Sequence, residues 1–596
     1  MPARAWRLEP VATLHPAADG EHQASPELLQ IFSDLLIPKH LHLSLATLLH
    51  SRGLTDPQRA RQFLDRNDRT LHDPHLLPDA TGLIARLREA GEAGEPVLVV
   101  GDFDADGLTG AAIMIRALRA IGAIAEGYIP QRDGDGHGIP EGAIAAALED
   151  GVELILAVDC GTADRIRVAE ALEAGILVGI IDHHAVPPEP AQAAWLVNPN
   201  RPDSTYPFPH LAGSGLAFKI AQGILADHPQ RRELLAELSV LAMVGGIADM
   251  VPVADEFRVI ARSALKVMNG AGVMPVGIAA LLRAAGTEPP YRAEVSGFTI
   301  SPRINAAGRI GDAAPALALL TTDDPAEATE LATMLERINL ERKELTKVAI
   351  DEARALLGLT VGSSRDEGRA YMSDGLVAVR GPWSVGLLGL IAGRLSEETG
   401  RPALVAHDDG SAAPLRASIR APKGFGVAAA LQESSDLLIR HGGHDGAGGC
   451  SFLPEVWDEL LPRLSATCAG QAEARTPELT VDLAAPIGSR SPMDLAALAD
   501  HLAPTGMGNP EPTFLLRNIP LTGVRLVGDG RHARLTLSLD GLAVEAMAFG
   551  RPDANQLAGS PIDLVVRTTQ RTYRGTARIE MHVVDLRQAI TEGPHE

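Results

Sequence analysis

From residue 95 the chain settles into a repeating order of short apolar runs and amphipathic stretches. Residues 97–100 form a β-branched run, followed by an Asp/Gly loop and a helical pattern through Ile113, Ile115 and Leu118. The order recurs with apolar runs at 124–129, 154–158 and 176–181 and a helical stretch at 141–148. Apolar runs spaced by helices predict βαβ units and a parallel sheet covered on both faces. In such sheets ligands bind beyond the carboxyl ends of the strands. Upstream, residues 1–94 alternate polar loops with amphipathic helices such as 57–64 and 80–90. Downstream, 211–285 reads as helices, and no Gly or Pro interrupts the chain between Pro325 and Gly358. That stretch predicts one stiff connecting helix over 324–357. A Gly-rich second α/β unit covers about 370–470. Period-2 alternation at Leu535, Leu537 and Leu539, and again at Val544, Ala546 and Ala548, predicts a small terminal β-barrel.

The expected fold class is therefore α/β and multidomain, divided as a helical region 1–94, a parallel-sheet domain 95–323, a connector 324–357, a second α/β domain 358–474 and a barrel 475–596. A length of 596 residues agrees, being too great for one core. The net charge of −23 argues against a protein that coats nucleic acid non-specifically, since that binding rests on clustered Lys and Arg. A local basic groove stays open. Aromatics make up only 3%, so any base-stacking surface is small or relies on Arg. The three cysteines, Cys160, Cys450 and Cys468, include no CxxC pair, so neither a disulfide framework nor a structural zinc site is expected. Without a visible signal sequence or a bilayer-length apolar stretch, a cytoplasmic protein with no membrane partner is expected.

Three of the four apolar runs end in chemistry. Asp102, Asp104 and Asp106 follow the first at spacing i, i+2, i+4, which in extended backbone puts the carboxylates on one side. Such a cluster is either a solvated turn or a site for a hard cation such as Mg²⁺ or Mn²⁺. An EF-hand is excluded, because Ile113 stands where its twelfth-position Glu is required. Asp159-Cys160-Gly161 ends the third run and Asp182-His183-His184 the fourth. Asp249, before Val251-Pro252, is either a helix cap or a further ligand. Together these groups offer the mixed carboxylate and imidazole set that two divalent ions, ~3.5–4 Å apart, use to hydrolyse phosphodiesters. Cys160 reads as a buried thiol rather than a soft ligand.

The runs GDFDADG (101–107), VDCGTA (158–163), IDHH (181–184) and GGIADMVP (245–252) resemble the four motifs of the DHH phosphoesterase superfamily. SPRINAAGR (301–309), the stretch 383–395, GGHDGAGG (442–449) and GNPEP (508–512) narrow the resemblance to the superfamily's single-strand-specific 5′→3′ DNA exonucleases. It covers nearly the whole chain beyond about residue 40. The resemblance implies a DHH domain, a DHHA1 domain and an OB-fold, and an enzyme of DNA repair and recombination that uses two Mn²⁺ or Mg²⁺ ions. It implies that Asp104 and Asp159 hold one metal, and that Asp106, His183 and Asp249 hold the other with Asp159 bridging. Asp182 would orient His183, and His184 would face the scissile phosphate. Arg132, Ser418 and Arg420 would recognise a 5′-phosphate. Arg303, Asn305, Arg309 and His444 would grip the backbone. The implied partners are single-stranded DNA with a 5′ end, a single-strand-binding protein and a helicase, for a monomeric chain. Three positions depart from the family pattern. Val100 stands where many members carry a His ligand, Gly136-His137-Gly138 stands where a Tyr is usual, and Asp-Gly-Ala follows Gly-Gly-His.

Two other readings compete. One is a DHH enzyme for short oligonucleotides or cyclic dinucleotides, although such enzymes generally stop after the second α/β unit. The other is an inactive DNA-binding scaffold, which would have lost metal ligands that this chain retains.

Overall fold

The structure is a computed structural model that describes residues 5–8, 15–16, 22–23, 25–66, 70–132, 137–471, 478–484, 491–539, 541–573 and 576–589. The loop residue Gly136 lies outside them. The first sheet is built from β1 (Pro96–Gly101), β2 (Ile124–Tyr128), β3 (Leu154–Val158), β4 (Leu177–Ile181) and β5 (Trp195–Val197), all parallel, in the order β2-β1-β3-β4-β5. Four of these strands match the apolar runs; β5 has too few residues to stand out in sequence. Strand periodicity divides the side chains between two cores. Val97, Val99, Leu154, Leu156 and Val158 pack on one face, and Leu98, Val100, Ile155 and Ala157 on the other.

The first face is covered by α1 (Ala105–Ala120), α2 (Gly213–Ile224) and α3 (Arg231–Ala248). Cys160 packs in the core of the second face, as a buried thiol should. Next come α4 (Ser301–Ile310) and then α5 (Pro325–Leu356), the unbroken connector, 32 residues long. Asp324 caps α5, its carboxylate accepting from the Ala326 amide at 2.8 Å.

The second domain carries β6 (Ala370–Met372), β7 (Val377–Gly381), α6 (Val385–Thr399), β8 (Ala403–His407), β9 (Leu415–Arg420), β10 (Arg440–His444) and β11 (Ala447–Phe452). Its sheet runs β10-β11-β9-β8-β7-β6, and only β7 and β8 pair in parallel. The terminal barrel is β12 (Phe514–Val527), β13 (His532–Leu539), β14 (Leu542–Ala548), β15 (Pro561–Tyr573) and β16 (Thr576–Gln588). Its order is β12-β13-β14-β16-β15, and β15 pairs back onto β12 to close it. The alternation at Leu535, Leu537 and Leu539 is the inward face of β13.

The N-terminal helices, expected as a region of their own, divide between two cores. Phe32, Leu45, Leu48 and Phe63 share the barrel's core, whereas Leu83, Ile84 and Leu87 pack into the first domain. Short amphipathic helices have no core of their own and must cover a neighbour's. Buried Arg258 ties these parts together, donating to the carbonyls of Phe63 (3.2 Å), Ala503 (2.8 Å) and Pro504 (2.7 Å). Asn509 of the GNPEP run holds the same turn by donating to the Leu502 and Pro504 carbonyls, both at 2.8 Å. Among the described residues no single helix is long and apolar enough to cross a membrane.

Candidate metal centre and its cleft

Strands β1, β3 and β4 are neighbours, and each delivers acid or imidazole groups where it leaves the sheet. After β1 the chain turns through Asp102 and Phe103 to Asp104, which caps α1. The Asp104 carboxylate accepts from the amides of Asp106 at 2.9 Å and Gly107 at 3.1 Å. Asp106, in the first turn, is buried and accepts from the Gly213 amide (2.6 Å), the Ser214 amide (3.1 Å) and the Ser214 hydroxyl (2.5 Å) at the start of α2. Asp159 follows β3 in the left-handed region, φ 64°. A Cβ on Gly213 would stand 2.5 Å from the Asp159 Cβ, so only glycine lets α2 come this close.

Asp182 follows β4 and is fully engaged. It accepts from the amides of His183 (2.8 Å), His184 (3.2 Å) and Thr162 (3.2 Å) and from His184 Nδ1 (2.7 Å). It therefore orients His184 directly and His183 through the backbone. Nε2 of His183 lies 3.1 Å from Asp159 and 3.7 Å from Asp249, which stands at the end of α3.

Ligand atoms of Asp102, Asp104 and Asp159 all fall within 4.8 Å of one another, as do those of Asp106, His183 and Asp249, and those of Asp159, His183 and His184. One carboxylate oxygen of Asp102 and one of Asp159 are buried and accept no hydrogen bond. Burial, then the charges of Asp102 and Asp106, push Asp104 up to about 6. Burial and the Asp106 charge do the same to Asp249, also to about 6. Asp159 is driven well above the usual carboxylate range by burial and by Asp106, Asp104 and Asp102. Acids crowded together, buried and short of donors are out of balance without a cation, so the residues present fit divalent metal.

Asp182 behaves oppositely. Burial raises it, but the hydrogen bonds and charge of His184 and a hydrogen bond from the Thr162 side chain outweigh burial and hold it below the usual range. His184 is raised to about 9, first by its hydrogen bond to Asp182.

Cations gather beside this cluster. The Arg132 guanidinium lies 3.8 Å over the Phe103 ring, between Asp102 and Asp104 in sequence, and its Nε donates to the Gly308 carbonyl at 3.0 Å. Arg309 donates to the Gly386 carbonyl at the start of α6, 3.0 Å away, and so joins the first domain to the second. Burial, then Arg132, Arg342 and Arg420, lower Arg309 to about 10. Arg420 donates to Ser418 Oγ at 3.0 Å, and Gly389 of α6 leaves room for them: a Cβ there would stand 2.9 Å from the Arg420 guanidinium. His444 shares a register row with Arg420, both paired with Ala447, and is exposed. Asn305 accepts from the Ala105 amide at 2.7 Å and so ties α4 to the acidic loop. Arg303 stands apart: it is buried, bound to Glu336 and to the Thr299 carbonyl.

The family model for the DHH family, N-terminal domain, matches residues 96–246, and that for the RecJ OB domain matches residues 482–585. The single-stranded-DNA-specific exonuclease RecJ of Bacillus subtilis is 31% identical over 557 residues, 92% of this chain and 69% of that protein. The RecJ of Thermus thermophilus is 33% identical, over 89% of this chain and 75% of its own. The chain belongs to the RecJ family. The crystal structure of RecJ in complex with Mn²⁺ from Thermus thermophilus matches 98% of this chain and 80% of that one, with a TM-score of 0.77 at 28% identity. The corresponding RecJ complex with Mg²⁺ matches with a TM-score of 0.72 at 26% identity. The terminal barrel is thus the OB-fold of a RecJ-family protein.

Several residues of the cleft escaped the ligand set expected from sequence. Asp102 was visible in the triple-Asp run, but its unpartnered oxygen beside Asp104 and Asp159 was not. His137 packs on the Phe103 ring at 4.6 Å and reaches Asp102 at 3.3 Å, although the usual Tyr is missing. Ser214 and Arg342 carry no local motif. Val100 lies fully buried in the sheet core and offers no ligand.

Proposed function

We propose that the chain is a metal-dependent exonuclease that removes nucleotides from the 5′ ends of single-stranded DNA. The observation that carries the reading is the buried acidic cluster, short of donors, lying beside the Arg132, Arg309 and Arg420 guanidiniums where the first and second domains meet. Membership of the RecJ family supports the substrate class, and the OB-fold supports a surface that holds single strands.

In this reading Asp104 and Asp159, joined by Asp102, hold one Mn²⁺ or Mg²⁺ ion; Asp106, His183 and Asp249 hold the second, with Asp159 shared. Such a pair supplies an activated water and charge neutralisation for in-line displacement at phosphorus. Ser214 and the Gly213 amide keep Asp106 in place, and Asp182 orients both imidazoles. His184, held cationic by Asp182, neutralises charge on the scissile phosphate and can give a proton to the leaving 3′-oxygen. Water adds to phosphorus and the bond to that 3′-oxygen breaks, so the shortened strand again carries a 5′-phosphate. Arg132, Ser418 and Arg420 receive that phosphate, and each product end becomes the next substrate end. Asn305, Arg309 and His444 steady the backbone, while Arg303 supports α4 through Glu336. Residues 95–323 do the chemistry, 358–474 narrow the groove and 475–596 hold the strand.

A cytoplasmic monomer supplied with single strands by a helicase and a single-strand-binding protein completes the proposal, on the strength of family membership. The test is a nuclease assay with Mn²⁺ and with Mg²⁺, on single-stranded and duplex DNA with and without a 5′-phosphate. The expected outcome is mononucleotide release from 5′-phosphorylated single strands, abolished in Asp159→Ala. Activity confined to dinucleotides would overturn it in favour of a short-substrate phosphodiesterase.

A further inference from the structure

We infer that the cavity beside the metal centre is a nucleobase subsite whose stacking platform is Phe298; the inference rests on the exonuclease reading and extends it. Among the described residues only two Phe, Trp or Tyr side chains are exposed, Phe298 at 82% and Phe549 at 57%. Phe298 sits in the π-helical turn Ser296–Ile300 just before α4 and lines a cavity of about 490 Å³. The same cavity is walled by Met250, next to Asp249 at the end of α3, by Arg309 and Arg342 of α4 and α5, and by Met507 on the segment leading into the barrel. A strand running from the metal centre toward the barrel therefore passes this ring.

The lining divides by chemistry. Phe298, Met250 and Met507 are all exposed and give one apolar wall, two of its members unbranched and adaptable thioethers. Arg309 and Arg342 give a cationic wall for the phosphates of the same strand. Two polar atoms are buried without partners, Ser301 Oγ in the lining and Arg342 Nε. An exonuclease must accept every base in turn. Stacking on a ring suits that need, because each base presents a π-face whatever its hydrogen-bonding edge. Phe298 is a positioning residue here: it holds the nucleotide beyond the scissile phosphate and takes no part in bond breaking.

The test compares wild type, Phe298→Ala and Phe298→Trp on 5′-phosphorylated oligo(dT), intact or with one abasic residue placed at the second, third or fourth position. Because Phe298 is exposed, neither substitution disturbs the core. The expected loss in Phe298→Ala is about 5- to 150-fold in kcat/KM on intact strands, carried by KM, with recovery in Phe298→Trp. On the strand lacking the stacked base, wild type and Phe298→Ala become equal. The inference is overturned if Phe298→Ala matches wild type on intact strands, or loses the same factor on all three abasic strands. Wild-type protein that leaves every single strand uncut would overturn the exonuclease reading itself.

Discussion

Replacing Asp182 with Asn keeps the size of a side chain that is 2% exposed but removes its charge. Four donors converge on the carboxylate: three backbone amides and His184 Nδ1. If the amide oxygen stays with the His183 and His184 donors, the new NH₂ faces the Thr162 N–H, and a buried donor left unpaired costs about 1–3 kcal/mol. The lost charge pair adds ~1–2 kcal/mol, discounted because the His184 side chain is 57% exposed to solvent. His184 is held at about 9 against an ordinary 6.5, first by the Asp182 hydrogen bond. Asp182 is depressed, so its share of the stabilisation is present above the ordinary carboxylate range. His184 is raised, so its share is complete below 6.5 and is lost as pH rises through about 9. The pair therefore stabilises the fold from mildly acidic pH to about 9. The assay follows the histidine Cε1–H resonances of metal-free protein against pH, with His184→Gln to assign the signal. Wild type should titrate near 9 and Asp182→Asn clearly lower, since burial lowers the ring and only the charges of Asp249 and Asp102 are left to raise it. A midpoint that stays near 9 in Asp182→Asn would refute the assignment of the charge to this hydrogen bond.

Asp102→Ala should weaken Mn²⁺ binding in calorimetry while leaving the far-ultraviolet dichroism unchanged, because its buried oxygen has no protein donor to lose; unchanged affinity would remove Asp102 from the site. Asp104 and Asp249 are raised to about 6, so in metal-free protein folding favours their protonated forms and their contribution grows unfavourable as pH rises through that range. Mn²⁺ should accordingly bind with proton release at pH 6 and raise the thermal midpoint more at pH 7.5 than at pH 5; a pH-independent gain would contradict the crowding argument. Arg420→Ala should reduce the preference for 5′-phosphorylated over 5′-hydroxyl strands in competition assays, with little change on the 5′-hydroxyl strand. Glu256→Ala should cost about 3–5 kcal/mol in denaturant unfolding of the first domain, since it strips the charge partner, 3.1 Å away, from a wholly buried Lys219 ammonium and leaves it only the neutral His72 carbonyl and Gln222 side chain.

Much of the first domain was legible because a buried parallel sheet writes itself as uniform apolar runs. Three of its five strands were visible so; Ile124–Tyr128, interrupted by exposed Glu126, was marked more by its place between helices, and Trp195–Val197 was too short for any pattern to register. The unbroken connector and the inward alternation of β13 were equally local. The N-terminal helices show the limit: amphipathicity announces an apolar face but not the partner, and their partners lie in a barrel more than 450 residues later.

The site divides along the same line. The order of residues along the chain already sets which chemical groups end the strands: Asp102, Asp104 and Asp106 after β1, Asp159 after β3, and Asp182, His183 and His184 after β4. It does so because a parallel sheet brings successive strand ends to one edge, so spacing along the chain translates directly into neighbourhood. What those groups meet is set by long-range packing. Asp249 joins from the end of α3, Ser214 anchors Asp106 from α2, Arg309 reaches the second domain, and Arg303 turns away to Glu336. These contacts depend on how helices pack across the sheet and between domains, and helix packing is set by surfaces distant in sequence. The same holds for the exposure of Phe298 beside the cavity, which no pattern of neighbouring residues encodes.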